Sequence, residues 1–306
     1  AHARLQASVV FDADTAALQR TLVARPHLRA ADSAAALIAS PGLDGLYVAT
    51  PPAAHMDLSH AAFDAGLAVL CEKPLTVDFE AARRCIERID REGRRAAVNY
   101  SLASSAGLQL VPQAFGGTGG ERGELQQVEI DVAFAAWPRP WQAAAGVWLS
   151  QRVEGGFTRE VLSHFVFVLQ RVLGPAAVQD SQVEHPADAR AAETSVQATL
   201  RAGGVPVRVQ GRVDAALPVA ERNRMCWQGR RSAIELRDWF GLFQQDAGAG
   251  WTAVGDAAQL RAEGQAAQLD QWMAMLEGRA HGLPSYAEAL AVQQTIEALL
   301  AGKKQP

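Results

Sequence analysis

Between residues 8 and 100, short apolar runs alternate with stretches of helical periodicity, and few folds accept that pattern. Ser8-Val9-Val10-Phe11 ends in Asp12, and Thr15 to Ala24 then places Leu18, Leu22 and Val23 on one helical side. Asp32-Ser33 predicts the cap of a second helix, which runs to about Ala39 and stops at Pro41-Gly42. Leu46-Tyr47-Val48-Ala49 reads as a buried strand halted by Thr50-Pro51-Pro52, followed by a helix from about His55 to Ala65. Leu67 to Cys71 is the next strand. Thr76 or Asp78 then caps a helix with Phe79, Ala82, Ile86 and Ile89 in one stripe, and Ala96 to Tyr100 follows as a strand. Strands separated by helices of this length build βαβ units and a parallel sheet. Such sheets bind ligands beyond the C-terminal ends of their strands. Asp12, Thr50-Pro51-Pro52 and Glu72-Lys73-Pro74 all stand at such ends and are expected to face one crevice.

Beyond about residue 120 the rhythm changes. Glu124 to Phe134, Ser195 to Leu200, Val205 to Val213, Arg224 to Gln228 and Ser232 to Leu236 read as strands without helices between them. They predict a mainly antiparallel sheet open on one face. An apolar helix from about Arg159 to Leu173 interrupts them, and helices return at Ala266 to Leu276 and Tyr286 to Leu300. The fold class is therefore α/β, with a Rossmann-like parallel-sheet domain over residues 1–100. An α+β domain follows over 101–306, with C-terminal helices at 265–301. Phe115-Gly116-Gly117-Thr118-Gly119-Gly120 is the expected junction, and it lacks the Lys-Ser/Thr of a phosphate loop.

Bulk properties narrow the function. A length of 306 residues implies about two domains. The net charge of −4 gives no reason to expect a nucleic-acid or membrane-surface partner. Cys71, Cys85 and Cys226 have no close spacing, which argues against a disulfide framework or a cysteine zinc site and fits a reducing, cytoplasmic setting. Only three of the 29 basic residues are lysines, namely Lys73, Lys303 and Lys304. Lys73 is thus the one lysine in the body of an arginine-rich chain.

Three blocks stand in order along the sequence. Thr50-Pro51-Pro52-x-x-His55 precedes Glu72-Lys73-Pro74. Gly155-Gly156-Phe157-Thr158-Arg159-Glu160-Val161-Leu162-Ser163-His164 follows, and then Leu283-Pro284-Ser285-Tyr286-Ala287-Glu288-Ala289. Together they resemble the Gfo/Idh/MocA family of NAD(P)-dependent oxidoreductases over nearly the whole chain. The resemblance implies hydride transfer between NAD(P) and a hydroxyl or carbonyl carbon of a sugar, cyclitol or similar small polar molecule. It makes Lys73 and His164 the expected proton-handling pair. Lysine suits that work because its protonation responds to desolvation, whereas arginine stays charged.

By the same resemblance Asp12, Thr50, Pro51, His55, Glu72, Lys73 and Asn99 hold the cofactor, with Asp12 on the adenine ribose favouring NAD over NADP. Asp12 and His55 also read as ordinary helix-capping residues. Lys73, Tyr100, Glu160 and His164 are expected to meet substrate, with Trp148 and Arg152, next to Trp141, as further candidates. Glu160 stands where the family usually has Asp, one methylene shorter. A metal reading of Glu160 and His164 lacks further ligands at telling spacings, so no metal is expected.

The family begins with a strand and a Gly-x-Gly-x-x-Gly turn that brings backbone amides to the pyrophosphate. This sequence has neither, and Ala1 to Leu5 reads as the end of the helix that would follow. A truncated dinucleotide domain is therefore expected. The alternative function is a non-catalytic sugar-sensing or scaffold member that has lost dinucleotide binding, and an imine or cyclic amide is a weaker choice of substrate. The open sheet face predicts a homodimer or homotetramer.

Overall fold

The structure is a computed structural model that describes residues 2–115 and 123–302. The expected junction at Gly116 to Gly120 lies outside the described residues, as do Lys303 and Lys304. The chain divides into two compact units, Ala1–Asn99 with Ala266–Ala287, and Tyr100–Gln265 with Glu288–Pro306. The main segment of the first unit ends at Asn99, ahead of the expected junction and of the change of rhythm near residue 120. The return of 266–287 to the first unit corrects the assignment of all C-terminal helices to the second.

In the first unit, β1 (Val9–Val10), β2 (Arg29–Ala30), β3 (Gly45–Val48), β4 (Ala68–Cys71) and β5 (Ala96–Val98) alternate with helices α1 (Thr15–Ala24), α2 (Ala34–Ile38), α3 (His55–Asp64) and α4 (Phe79–Glu92). The helix starts follow local chemistry. Asp14, Ser33 and Asp78 each accept hydrogen bonds from backbone N–H groups of the first turn that would otherwise lack partners. Gly93 ends α4 at φ 60°, in the left-handed region.

All ladders here are parallel, but they form two separate sheets, β1-β2 and β3-β4-β5. Among the described residues 2–5 the expected helix end is not present. Ala3 and Arg4 form a turn, and Arg4 and His2 pair instead with Glu277 and Asp270.

Apolar packing explains why residues 266–287 belong to this unit. Met275 and Leu283 are buried with Ala68, Leu70 and Ala97 of β4 and β5, and Trp272 and Leu276 pack against the cluster. The Val98 N–H also donates to the Pro284 carbonyl at 2.8 Å.

The second unit is built on an eight-stranded sheet. Its strands are β6 (Leu125–Phe134), β7 (Ala176–Glu184), β8 (Ser195–Ala202), β9 (Val205–Val213), β10 (Glu221–Gly229), β11 (Ser232–Arg237), β12 (Gly241–Asp246) and β13 (Thr252–Ala253), in the order β13-β12-β11-β10-β6-β9-β8-β7. Every neighbouring pair is antiparallel except β6 and β9. Helices α5 (Gly107–Phe115), α6 (Ser163–Leu173), α7 (Ala257–Leu276) and α8 (Tyr286–Leu300) complete the chain, which passes between units within α7 and again within α8. Val196, Ala198, Leu200 and Ala202 of β8 are buried, while the alternate residues Gln197, Thr199 and Arg201 are exposed. That period of two leaves one face for α6 and the other polar. The polar face carries charges that pair across strands, with Arg224 on Glu129 and Glu235, and Arg212 and Arg222 on Asp131.

Candidate functional site

Register lines up the C-terminal ends of β3, β4 and β5. Val48 is opposite Cys71, and Cys71 is opposite Val98. The ladder runs one residue further, because the Glu72 N–H donates to Val48 and the Asn99 N–H to Cys71, at 2.8 and 2.7 Å. Thr50, Glu72, Lys73 and Asn99 therefore leave the sheet at one edge. Thr50 and Pro51 are exposed and Lys73 is half-buried. Asp12 is exposed two residues beyond β1, and its Oδ1 accepts from the Asp14 N–H at 2.9 Å. Asp14, not Asp12, caps α1.

Glu72 is held by its neighbours. Tyr47 Oη donates to Glu72 Oε1, and Asn99 Nδ2 donates to the same oxygen at 2.6 Å. Gln268 Nε2 in turn donates to Asn99 Oδ1 at 2.7 Å. Tyr47 is 45% exposed, and its hydroxyl is bonded to Glu72. Burial and the adjacent Glu72 carboxylate push its pKa upward, so it remains a donor. Glu72 and Asn99 thus spend these atoms on each other and on Tyr47 and Gln268. They fix the backbone that presents Lys73, whose amide nitrogen is 3.3 Å from Glu72 Oε2. The Lys73-Pro74 bond is cis.

His55, expected to line the dinucleotide, lies between two loops of the first unit. It is fully buried, with Nδ1 3.1 Å from the Leu75 carbonyl oxygen and Nε2 2.8 Å from that of Thr50. The imidazole thereby sits between the loop after β3 and the loop after β4, and in its neutral form donates to one of the two carbonyls. Burial pulls its pKa below the ordinary histidine value, against the pull of the two carbonyls. His55→Ala is expected to cost about 2–4 kcal/mol, through lost carbonyl partners and an unfilled cavity. Urea unfolding checks this; a change under about 0.5 kcal/mol would remove the bridging role.

In the second unit, the predicted helix at Arg159 begins as a π-helical turn, Thr158–Leu162, and only then becomes α6. Wide turns of this kind recur at functional sites. Glu160 lies in the wide turn and His164 in the first turn of α6, and they are 8% and 5% exposed. Gly155 and Gly156 bring the chain into this turn through a space with no room for a side chain. A Cβ on Gly155 would lie 2.3 Å from the Trp148 carbonyl oxygen, and one on Gly156 would lie 2.2 Å from Glu193 Oε2. Glu193 is buried and accepts the Thr158 N–H at 2.7 Å, and burial raises its pKa.

The His164 imidazole contacts the Tyr100 ring at 5.4 Å and the Trp239 ring at 5.2 Å, both nearly edge-on. Ser101 Oγ is 3.3 Å from its Nδ1. Tyr100 is buried and stacks on Phe167 at 4.7 Å. Trp148 is half-buried and Arg152 exposed. Arg152 lines a cavity of about 190 Å³ with Arg159, His185, Glu193 and Glu297.

The structure therefore gathers Thr50, Pro51, Glu72, Lys73 and Asn99 at one sheet edge of the first unit. It gathers Tyr100, Glu160 and His164 in the second. Tyr47, Ser101, Glu193 and Trp239 were not anticipated. Tyr47 carried a signal, as a polar-tipped ring inside a buried run; the others contact the site only through the fold. Among the described residues no group of three or more His, Cys, Asp or Glu side chains is arranged to hold a metal ion. No described helix is long and apolar enough to cross a membrane.

Residues 1–100 match the oxidoreductase family GFO_IDH_MocA, described as an NAD-binding Rossmann fold. An inositol 2-dehydrogenase of Streptomyces avermitilis is 44% identical over 63 residues, which are 21% of this chain and 18% of that protein. A 1,5-anhydro-D-fructose reductase of Ensifer adhaerens is 27% identical over 154 residues, 49% of this chain and 44% of that protein. The matched stretches thus span less than half the length of these relatives. Among solved structures, the WlbA dehydrogenase of Bordetella pertussis in complex with NADH and UDP-GlcNAcA superposes with a TM-score of 0.72 at 20% identity, covering 96% of this chain and 86% of that one. That likeness establishes the shared fold. The family match thus rests on residues 1–100, which are matched to the Gfo/Idh/MocA oxidoreductases, while over the rest of the chain the likeness is one of fold.

Proposed function

We propose that this protein is a nicotinamide-dependent dehydrogenase or reductase acting on a hydroxyl or carbonyl carbon of a sugar, cyclitol or related polyol. The observation that carries the reading is the placement of Lys73. It directly follows a carboxylate immobilised by Tyr47 and Asn99, at the edge where three parallel strands end.

The donor set fits the two ends of a dinucleotide. The exposed Asp12 carboxylate offers acceptors for ribose hydroxyls, and Thr50 and Pro51 present an open loop beside Lys73. The sequence contains no Gly-x-Gly-x-x-Gly turn, and no residue is assigned to the pyrophosphate. The bound nicotinamide supplies a hydride acceptor or donor. The chain's residues manage the proton: Lys73 Nζ takes it from the substrate hydroxyl during oxidation and returns it during reduction. His164 serves as the second proton-exchanging group, and Glu160 holds a substrate hydroxyl. Glu72, Asn99 and His55 act by fixing the loops on which Lys73 and Thr50 stand.

The relatives point to cyclitols and anhydro-sugars as the first substrates to try. Purified chain is mixed with NAD and myo-inositol, and separately with NADH and 1,5-anhydro-D-fructose, and nicotinamide absorbance is followed. Turnover in a panel of polyols and ketoses built around these two is the expected result. No NADH binding by fluorescence, together with no turnover on any member, would favour the non-catalytic reading that has lost dinucleotide binding. Retention of Lys73 and His164 weighs against it.

A further inference from the structure

Trp239 holds a backbone conformation that a glycine would adopt without strain. The turn between β11 and β12 puts Asp238 at φ 46° and Trp239 at φ 76°, two successive left-handed positions without a glycine. For a bulky aromatic residue this conformation is a true outlier. Asp238 has a local reason for its place, since its N–H donates to the Asn223 carbonyl at 2.8 Å and its Oδ1 accepts the Asn223 N–H at 3.3 Å. The partners of Trp239 lie elsewhere in the sequence.

The indole Nε1–H donates to Glu221 Oε1 at 3.0 Å, and Arg139 Nη1 donates to Oε2 of the same carboxylate at 2.8 Å. Arg139 is itself buried and pinned. Its Nε donates to Gln142 Oε1 at 3.0 Å, and its guanidinium packs on the rings of Trp137 and Trp141. The carboxylate that anchors the indole is therefore fixed from a second side. The anchored ring meets His164 at 5.2 Å with planes at 85°, and Phe165 at 5.7 Å. A ring held this way at the expense of backbone strain restricts the imidazole beside it.

We infer that Trp239, anchored through Glu221 to Arg139, is a positioning residue that fixes the ring orientation of His164. The inference rests on the proton-exchange role proposed for His164. A packing residue would affect stability; a positioning residue also affects the imidazole itself and the turnover it supports. Trp239→Gly removes the ring and relieves the left-handed backbone. Trp239→Phe keeps a ring and loses the bond to Glu221. Glu221→Gln retains the anchor's shape and removes its charge.

The chain is labelled with ¹⁵N-histidine, and the His164 ring signals are assigned by their loss in His164→Gln. In Trp239→Gly these signals should shift and broaden, and kcat should fall about 10- to 100-fold with KM little changed. Trp239→Phe should restore most of both. Unaltered His164 signals in Trp239→Gly would overturn the inference. Should that variant not fold, unaltered signals in both Trp239→Phe and Glu221→Gln would overturn it equally. Signals that change while kcat holds would support the positioning and overturn the catalytic role of His164, so the two claims fail separately.

Discussion

Lys73→Met is expected to lower kcat by about a thousandfold or more, while the midpoint of unfolding moves little. Methionine keeps the length and apolar stem of the side chain and removes only the ammonium. Proton transfer by a positioned group contributes roughly 10²–10⁴-fold, so its loss falls on the chemical step and leaves ground-state binding nearly intact. The stability change should stay within about 1 kcal/mol, since Lys73 is half-buried and a partly exposed ammonium stabilises the fold weakly. Lys73→Arg should fail nearly as badly, because guanidinium does not give up its proton at working pH and its planar fork does not match an ammonium. The measurements are steady-state kinetics on whichever substrate the polyol and ketose panel reveals, with NADH affinity by fluorescence. Retention of more than about a tenth of wild-type turnover by Lys73→Met would be too much for a residue that carries the proton.

The basis for that prediction was legible early. Lys73 stood out as a lone lysine at the end of a predicted strand, and the parallel ladder places it at the edge expected of it. The alternation of apolar runs with helical stripes located β3, β4 and β5 to within a residue or two; β4 is buried on both faces and so reads as a continuous apolar run, while β3 is buried through Leu46 and Val48. The period-two strands β8 and β9 were legible for the complementary reason, with one face buried and one polar. β7 was not, because polar and charged residues such as Gln179, Asp180 and Gln182 interrupt its apolar pattern.

Long-range pairing was beyond the sequence. Nothing local marks His55 as a bridge, since its partners are main-chain carbonyls of Thr50 and Leu75 rather than side chains with a motif. The return of residues 266–287 to the first unit was equally hidden, because an amphipathic helix specifies that it will be covered and not by which sheet. Trp239 illustrates the same limit. Its left-handed backbone contradicts local propensity and is explained only by groups far along the chain.

Gly156→Ala should destabilise the second unit by roughly 3–5 kcal/mol. Gly156 adopts φ 99°, which an alanine reaches only with strain. Its added methyl would also lie 2.2 Å from Glu193 Oε2 and 2.6 Å from Oε1, well inside contact distance. The carboxylate would have to move, and its bond from the Thr158 N–H is the first contact to go. A buried donor at the start of the wide turn would then lack its acceptor, and the turn carries Glu160 and leads directly into His164. The substitution is therefore expected to lower the denaturation midpoint and, in protein that still folds, to raise KM for substrate without weakening NADH binding. Gly174→Ala is the control. Gly174 is also at positive φ, 85°, but a Cβ there meets nothing within 4 Å, so only the backbone strain of about 1 kcal/mol remains. Equal losses in the two variants would show that strain alone governs Gly156, and the close approach of Glu193 would then have no part in shaping the turn before His164.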